Sequence, residues 1–162
     1  MNLHWRHEPA ASDRQAIRRI VETTGVFSAA EVDVAVELVD ERLTRGPSTG
    51  YHFTFVEKEG EVIGYACYGP IACTLASYDL YWIAVDKQNQ GGGLGRRIME
   101  IAEARMGEMG AARVYIDTSG RSDYLPTRRF YERCGYKLAA ELEDFYAPGD
   151  SKVVYCRLIA KE

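Results

Sequence analysis

The stretch QGGGLGRR, Gln90 to Arg97, holds three consecutive glycines and a fourth, Gly95, one residue beyond Leu94. It lies between a strand-like run, ASYDLYWIAVD, and a helix-like run, LGRRIMEIAEARMGEMG. So many glycines lose much backbone entropy on folding, which makes an idle turn a poor explanation. A turn between a strand and a helix suits an anion. Its N–H groups turn inward, no Cβ blocks the approach, and the helix start adds partial positive charge. Arg96 and Arg97 add charge-assisted contacts. The loop therefore predicts a ligand that carries phosphate. A P-loop needs Lys-Ser or Lys-Thr after its last glycine, and neither follows any glycine here. The dinucleotide pattern GxGxxG fails in both registers: counted from Gly91 the third position is Arg96, and counted from Gly93 it is Ile98.

The strand before the loop holds a second candidate. Alternation puts Ser77, Asp79, Tyr81, Ile83 and Val85 on one face, with Leu80, Trp82 and Ala84 on the other. Strands are depleted in Asp, so Asp79 wants a reason. It is either a proton-transfer or substrate-binding carboxylate, or a hydrogen-bonded strand residue.

These residues need elements to position them. LHWR (3–6) reads as a short strand. SDRQAIRRIVETTG reads as a helix capped by Ser12 or Asp13 and ended by Gly25. SAAEVDVAVELVDERLTRG reads as a second helix. Val32, Ala35, Val36, Val39 and Leu43 form its stripe, Ser28 and Glu31 form a capping box, and Gly46 ends it. YHFTFVEK and EVIGYACYGPI make a hairpin, followed by ASYDLYWIAVD. After the glycine loop come a helix, the strand ARVYIDTS, the short helix LPTRRFYERCG, and a closing hairpin of YKLAAELEDFY and SKVVYCRLI. The order is β-α-α-β-β-β-α-β-α-β-β. It predicts an α/β (α+β) fold, a mixed, mostly antiparallel twisted sheet of about six to seven strands flanked by about four helices. The β-loop-α-β crossover makes its two strands parallel and right-handed.

The 162 residues suggest one domain spanning 1–162. With 46% hydrophobic and 27% charged residues, the composition is that of an ordinary soluble globular protein. A net charge of −4 argues against nucleic acid or an anionic membrane as main partner. The first residues, MNLHWRHEPAASDRQ, contain no apolar signal-peptide core, and no apolar run approaches the ~18 residues of a membrane span. Cys67, Cys73, Cys134 and Cys156 are scattered without a CxxC pair, which reads as packed thiols of a cytoplasmic protein. His4, His7 and His52 lie far apart in sequence, so no metal is expected.

Gln90, Gly93 and Gly95 in IAVDKQNQGGGLGRR fit the spacing Q-x-x-G-x-G. Here the chain resembles the GNAT superfamily of N-acetyltransferases, in which a strand ending in Ala-Val-Asp or similar runs into [RQ]-x-x-G-x-[GA]. A second GNAT motif, N-x-x-A-x-x-[FL]-Y-x-x-x-G-[FY], is similar to Tyr124–Tyr136. Phe130, Tyr131, Gly135 and Tyr136 match, whereas Tyr124 and Thr127 stand at the Asn and Ala positions. The element order follows the family over nearly the whole chain.

The resemblance implies a single GNAT domain that uses acetyl-CoA as cosubstrate without a metal. Gln90, Gly91, Gly92, Gly93, Leu94, Gly95 and Arg96 would cradle the pyrophosphate. Backbone groups of Ile83, Ala84 and Val85 would hold pantetheine and the developing oxyanion, where this strand and ARVYIDTS splay apart. Thr118, Ser119 or Thr127 would replace the missing Asn as a pantetheine contact. Tyr131 would serve the leaving sulfur as general acid, or orient the thioester. Asp79, six residues before Val85, would act as base or bind the acceptor, with Tyr81 beside it in the pocket. An alkyl amine has a pKa near ~10.4, so a base helps it lose its proton at neutral pH. The acceptor implied is a primary amine, of a small metabolite or of a peptide, acetylated directly in a ternary complex. Transfer of another acyl group and an acyl-CoA-sensing module without turnover are the alternatives. Asp33, Glu37, Asp40 and Glu41 on the second helix form either an acidic edge to the acceptor site or a solvated face. Such folds often pair, so a homodimer is an expectation.

Overall fold

The structure is a computed structural model and describes residues 2–159. Residues 1 and 160–162 of the expected 1–162 domain lie outside the described residues. Seven strands form one sheet in the order β1-β2-β3-β4-β5-β7-β6. They are β1 (Leu3–Arg6), β2 (His52–Lys58), β3 (Glu61–Pro70), β4 (Ser77–Val85), β5 (Arg113–Ser119), β6 (Lys137–Ala147) and β7 (Asp150–Leu158). The helices are α1 (Asp13–Thr23), α2 (Ala29–Arg45), α3 (Leu94–Glu108) and α4 (Leu125–Arg133). Every neighbouring strand pair is antiparallel except β4 and β5, which the α3 crossover makes parallel.

The sheet carries a core on each face. On one, Ile17, Ile20 and Val21 of α1 and Val32, Ala35 and Val39 of α2 pack over Phe53, Phe55, Tyr65, Cys67 and Ala84. On the other, Ile98, Met99, Ala102 and Met106 of α3 and Tyr131 of α4 pack over Leu80, Val85, Val114, Ile116, Val153 and Tyr155. The expected capping box of α2 is present: the Glu31 N–H donates to Ser28 Oγ, and the Glu31 carboxylate accepts from the Ser28 N–H. The expected Ser12 cap of α1 is absent. Its backbone is already helical and its side chain makes no capping bond. Asp13, the first helical residue, does not cap the helix either; it accepts the Ala10 N–H upstream at 2.7 Å and, through both oxygens, the Arg6 guanidinium at 2.6 and 2.8 Å. Arg6 also donates to Glu57. This buried group ties β1, β2 and α1 together.

A bulge marks β4. Cys67 pairs with Trp82 and Tyr68 with Leu80, so Tyr81 has no partner on β3. One extra residue reverses the facing of everything beyond it. The alternation expected from sequence, with Ile83 and Val85 on the face of Asp79 and Tyr81, therefore fails. Ile83 and Val85 belong to the α3/α4 core, whereas Tyr81 and Trp82 both pack on the α1/α2 side.

Asp13→Ala should destabilise the protein by about 2–3 kcal/mol, because it leaves a half-buried guanidinium with Glu57 as its one counter-charge and frees the Ala10 N–H. The urea denaturation midpoint measures this. A loss under about 1 kcal/mol would mean that Glu57 alone satisfies Arg6.

Candidate active site

The glycine loop begins where β4 ends. Asp86 anchors it, accepting the Gln88 N–H at 3.1 Å and Arg19 of α1 at 2.7 Å. The Gln90 side chain folds back and donates to the Val85 carbonyl at 3.0 Å, and its own N–H reaches Lys87. Gln90 thus closes the turn. Gly91 and Gly93 adopt φ of +88° and +80°, a region where a side chain would be strained. Among the described residues the N–H groups of 91–96 have no acceptor, and the first bond of α3 runs from the Arg97 N–H to the Gly93 carbonyl. A Cβ on Gly91, Gly92 or Gly93 would meet nothing within 4 Å, so this side of the loop is open. Gly95 differs: a Cβ there would lie 3.2 Å from the Phe130 ring, so its bareness lets α3 rest against α4. Leu94 faces the core. Arg96 turns to Glu100 at 3.3 Å, and Arg97 lies over the Trp5 ring at 5.4 Å. What the loop offers an anion is therefore a row of free amides at a helix start.

Next to the loop the sheet opens. β4 and β5 pair only through Ser77–Arg113, Tyr78–Val114 and Asp79–Tyr115, although β4 runs on to Val85 and β5 to Ser119. Beyond Asp79 the two strands part, leaving the main chain of Leu80 to Val85 free on that side. Thr118 is buried, on the face of Val114 and Ile116, and Thr127 is half-exposed on α4. Neither hydroxyl has a side-chain partner among the described residues, whereas Ser119 Oγ is engaged by Asp150 and the Arg121 N–H. Tyr124, at the Asn position of the helical motif, is buried and points its hydroxyl at the Val26 carbonyl, 3.5 Å away in the α1–α2 connection. Tyr131 is packed among Phe130, Tyr136 and Tyr155. Its hydroxyl makes no hydrogen bond among the described residues, and burial pushes its pKa well above the ordinary value.

Asp79 closes the paired part of β4 and is half-buried. Its carboxyl is pushed up to about 6, first by burial and then by the charge of Asp117, with Lys152 opposing. Tyr81 is pushed up to about 12, by burial and then by Asp79, and meets Tyr51 edge-on with ring centres 5.4 Å apart. The expected grouping of Asp79 with Tyr81 is therefore present. Trp82 stacks at a tilt on Phe27, 5.1 Å away, which brings the α1–α2 connection to the bulge. The acidic edge of α2 is mostly held by arginines: Arg18 binds Asp33, Arg14 binds Asp40 and Arg45 binds Glu41. That matches a solvated face. Asp117 and Lys152 escaped the sequence reading. The signal that singled out Asp79, a carboxylate within an apolar strand, was equally present in ARVYIDTS.

Among the described residues no helix is long and apolar enough to cross a membrane. The acetyltransferase (GNAT) domain family matches residues 49–138. A GNAT-family protein of Desulfovibrio desulfuricans has a solved structure with a TM-score of 0.96 and 43% identity, covering 98% of this chain and 100% of its own. The aminoglycoside 6'-N-acetyltransferase of Enterococcus faecium shares the fold at 15% identity, with a TM-score of 0.77 over 100% of this chain and 99% of that one. A Salmonella typhimurium protein solved with its cofactor acetyl-CoA shares it at 17% identity, with a TM-score of 0.75 over 100% and 96%. No curated protein matches the chain in sequence. Identity of 43% over nearly the whole length, together with the domain match, means that this chain belongs to the GNAT family and is an acetyltransferase.

Proposed function

We propose that this enzyme, as one domain, transfers the acetyl group of acetyl-CoA directly to a primary amine in a ternary complex. The observation that carries this reading is the parting of β4 from β5 beside six free loop amides. The open strand edge suits an extended amide-bearing chain, which can pair with exposed main chain as an added strand. The free amides of 91–96 suit its pyrophosphate. Acetyl-CoA supplies an activated acyl group on a sulfur that can leave. The residues of this chain supply position and protons.

Main-chain N–H groups between Ile83 and Val85 face the gap and hold the charge that develops on the carbonyl oxygen. Thr118 and Thr127 offer hydroxyls to the pantetheine arm. Tyr131 keeps its proton at any working pH because burial disfavours the phenolate. A proton is thus in place, by donation or by transfer, when the sulfur departs. Asp79 is ionised above about pH 6 and then accepts a proton from the incoming ammonium, directly or through water. Tyr81, with Tyr51 behind it, forms an aromatic wall beside that carboxylate.

Calorimetric titration with acetyl-CoA, CoA and NADH tests the nucleotide half of the reading. Binding of the CoA species and none of NADH is expected, and absence of CoA binding overturns it. Gly92→Val is the sharper probe of the loop. Gly92 has no positive φ and an open Cβ direction, so valine should leave stability within about 1 kcal/mol and weaken CoA binding at least tenfold. Unchanged affinity would remove the loop from the binding site.

Tyr131→Phe should lower kcat by about tenfold to a hundredfold while acetyl-CoA affinity stays within about twofold, since the hydroxyl matters when the sulfur leaves. An unchanged rate removes Tyr131 from the mechanism.

Asp79 should give kcat/KM an acid limb that rises through about pH 6 and disappears in Asp79→Asn. The same shift has a thermodynamic signature. A carboxyl raised from its unfolded value near ~3.9 binds protons more tightly in the folded state, so its contribution to stability falls as pH rises from about 4 to about 6. Asp79→Asn should flatten that slope in denaturation curves. A slope identical to wild type would place Asp79 in an ordinary solvated setting.

A further inference from the structure

Lys152 of β7 lies beside Asp117 of β5, with 3.2 Å between Nζ and Oδ2. The same ammonium lies 4.6 Å from the centre of the Phe145 ring on β6. A carboxylate on one side and an aromatic face on the other form a seat for a cation. This seat borders the proposed transfer site. Asp79 is the last β4 residue paired with β5, opposite Tyr115, and Asp117 follows two residues further along β5 on the same face. A rise of about 3.3 Å per residue and a strand spacing of about 4.8 Å put the two positions roughly 8 Å apart or slightly more, since the strands part beyond Asp79. The electrostatics agree with that distance, since Asp79 responds to both Asp117 and Lys152. The hydroxyl of Tyr146, next to Phe145, responds to Asp117, to Asp150 at the start of β7 and to Glu31 on α2. Carboxylates from β4, β5, β7 and α2 thus bear on this side of the sheet. The cations facing them are Lys152 and Arg121, and Arg121 is already held by Asp123 and Asp150.

We infer that the acceptor amine carries a second positive charge, that Asp117 selects for it, and that Lys152 is the internal cation such an acceptor displaces. This rests on the transfer reading above and names the substrate class of the same site. Lys152 can be displaced because the pair is solvent-accessible on its Asp117 side, which is 44% exposed against 22% for Lys152, and ion pairs near the surface are weakly held. The aromatic face of Phe145 remains for the newcomer. A second cation roughly 8 Å from the reacting amine corresponds to a short diamine, of about four to six carbons.

The experiment compares kcat/KM for 1,5-diaminopentane and n-pentylamine, read as thiol release, in wild type, Asp117→Asn and Lys152→Met. Wild type should prefer the diamine by about tenfold or more, the size of one charge-assisted contact. Asp117→Asn should bring the ratio close to one, and Lys152→Met should raise it. The ratio cancels any change in Asp79, because both amines lose a proton at the same carboxylate. Equal values in wild type, a ratio that survives Asp117→Asn, or a ratio that falls in Lys152→Met overturns the inference. If neither amine turns over, titration of 1,5-diaminopentane onto the CoA-loaded protein decides. Binding that depends on Asp117 supports the cation seat and places the failure in the transfer reading. Absence of binding, or binding indifferent to Asp117, overturns the inference.

Discussion

Everything at the candidate site depends on β4 meeting two neighbours that do not run alongside it equally. It pairs with β3 almost end to end, yet with β5 over three residues only. The unpaired Tyr81 sits where this change occurs. A bulge bends its strand and raises the local twist, which turns β4 away from β5. It also resets the alternation, so that Asp79 and Tyr81 stay on the α1/α2 face while Ile83 and Val85 turn into the α3/α4 core. One inserted residue therefore opens a main-chain edge and divides two chemical environments along a single strand.

The remaining elements hold that opening in place. Gly95 has no side chain where the Phe130 ring arrives, so the start of α3 rests against α4 and the helix carrying Tyr131 is fixed relative to the free amides. Arg19 reaches from α1 to Asp86 and the Val62 carbonyl, which ties the first helix to the root of the loop. Gln90 bonds back to Val85 and completes the turn. None of these contacts is worth more than a few kcal/mol. Together they preorganise donors so that no loop has to be ordered when a ligand arrives.

The electrostatics of the opening follow from the sheet register. Parallel pairing of Asp79 with Tyr115 places Asp117 and Asp79 on one face, two residues apart in row. Their like charges and partial burial hold the Asp79 proton more tightly than water would, and Lys152 limits the effect. On the α1/α2 side the helices cover β2 to β4, while the side chains of β5, β7 and β6, Ser119 apart, remain half-exposed or exposed. At that boundary Asp79 is desolvated enough to be tuned and open enough to be reached.

The chain's local pattern specifies the element order, the core stripes of α1 and α2, the Ser28–Glu31 capping box and the glycine loop. Each of these is written in local spacing: a 3.6-residue period, a cap three residues from its partner, glycines where φ is positive. It also placed Asp79 and Tyr131 as candidates, through residue types unusual for their position and through likeness to a family. How the strands meet follows from long-range pairing instead. The alternation of ASYDLYWIAVD contains no mark of the bulge, because an extra residue is defined by the partner strand and not by its own neighbours. Asp117 and Lys152 are 35 residues apart in sequence and meet only because β5 and β7 are adjacent in the sheet. Gln90 also closes the turn onto Val85, and Gly95 also admits the Phe130 ring, contacts that no local pattern shows. Short-range pattern specifies elements, and long-range pairing specifies which of their side chains share a site.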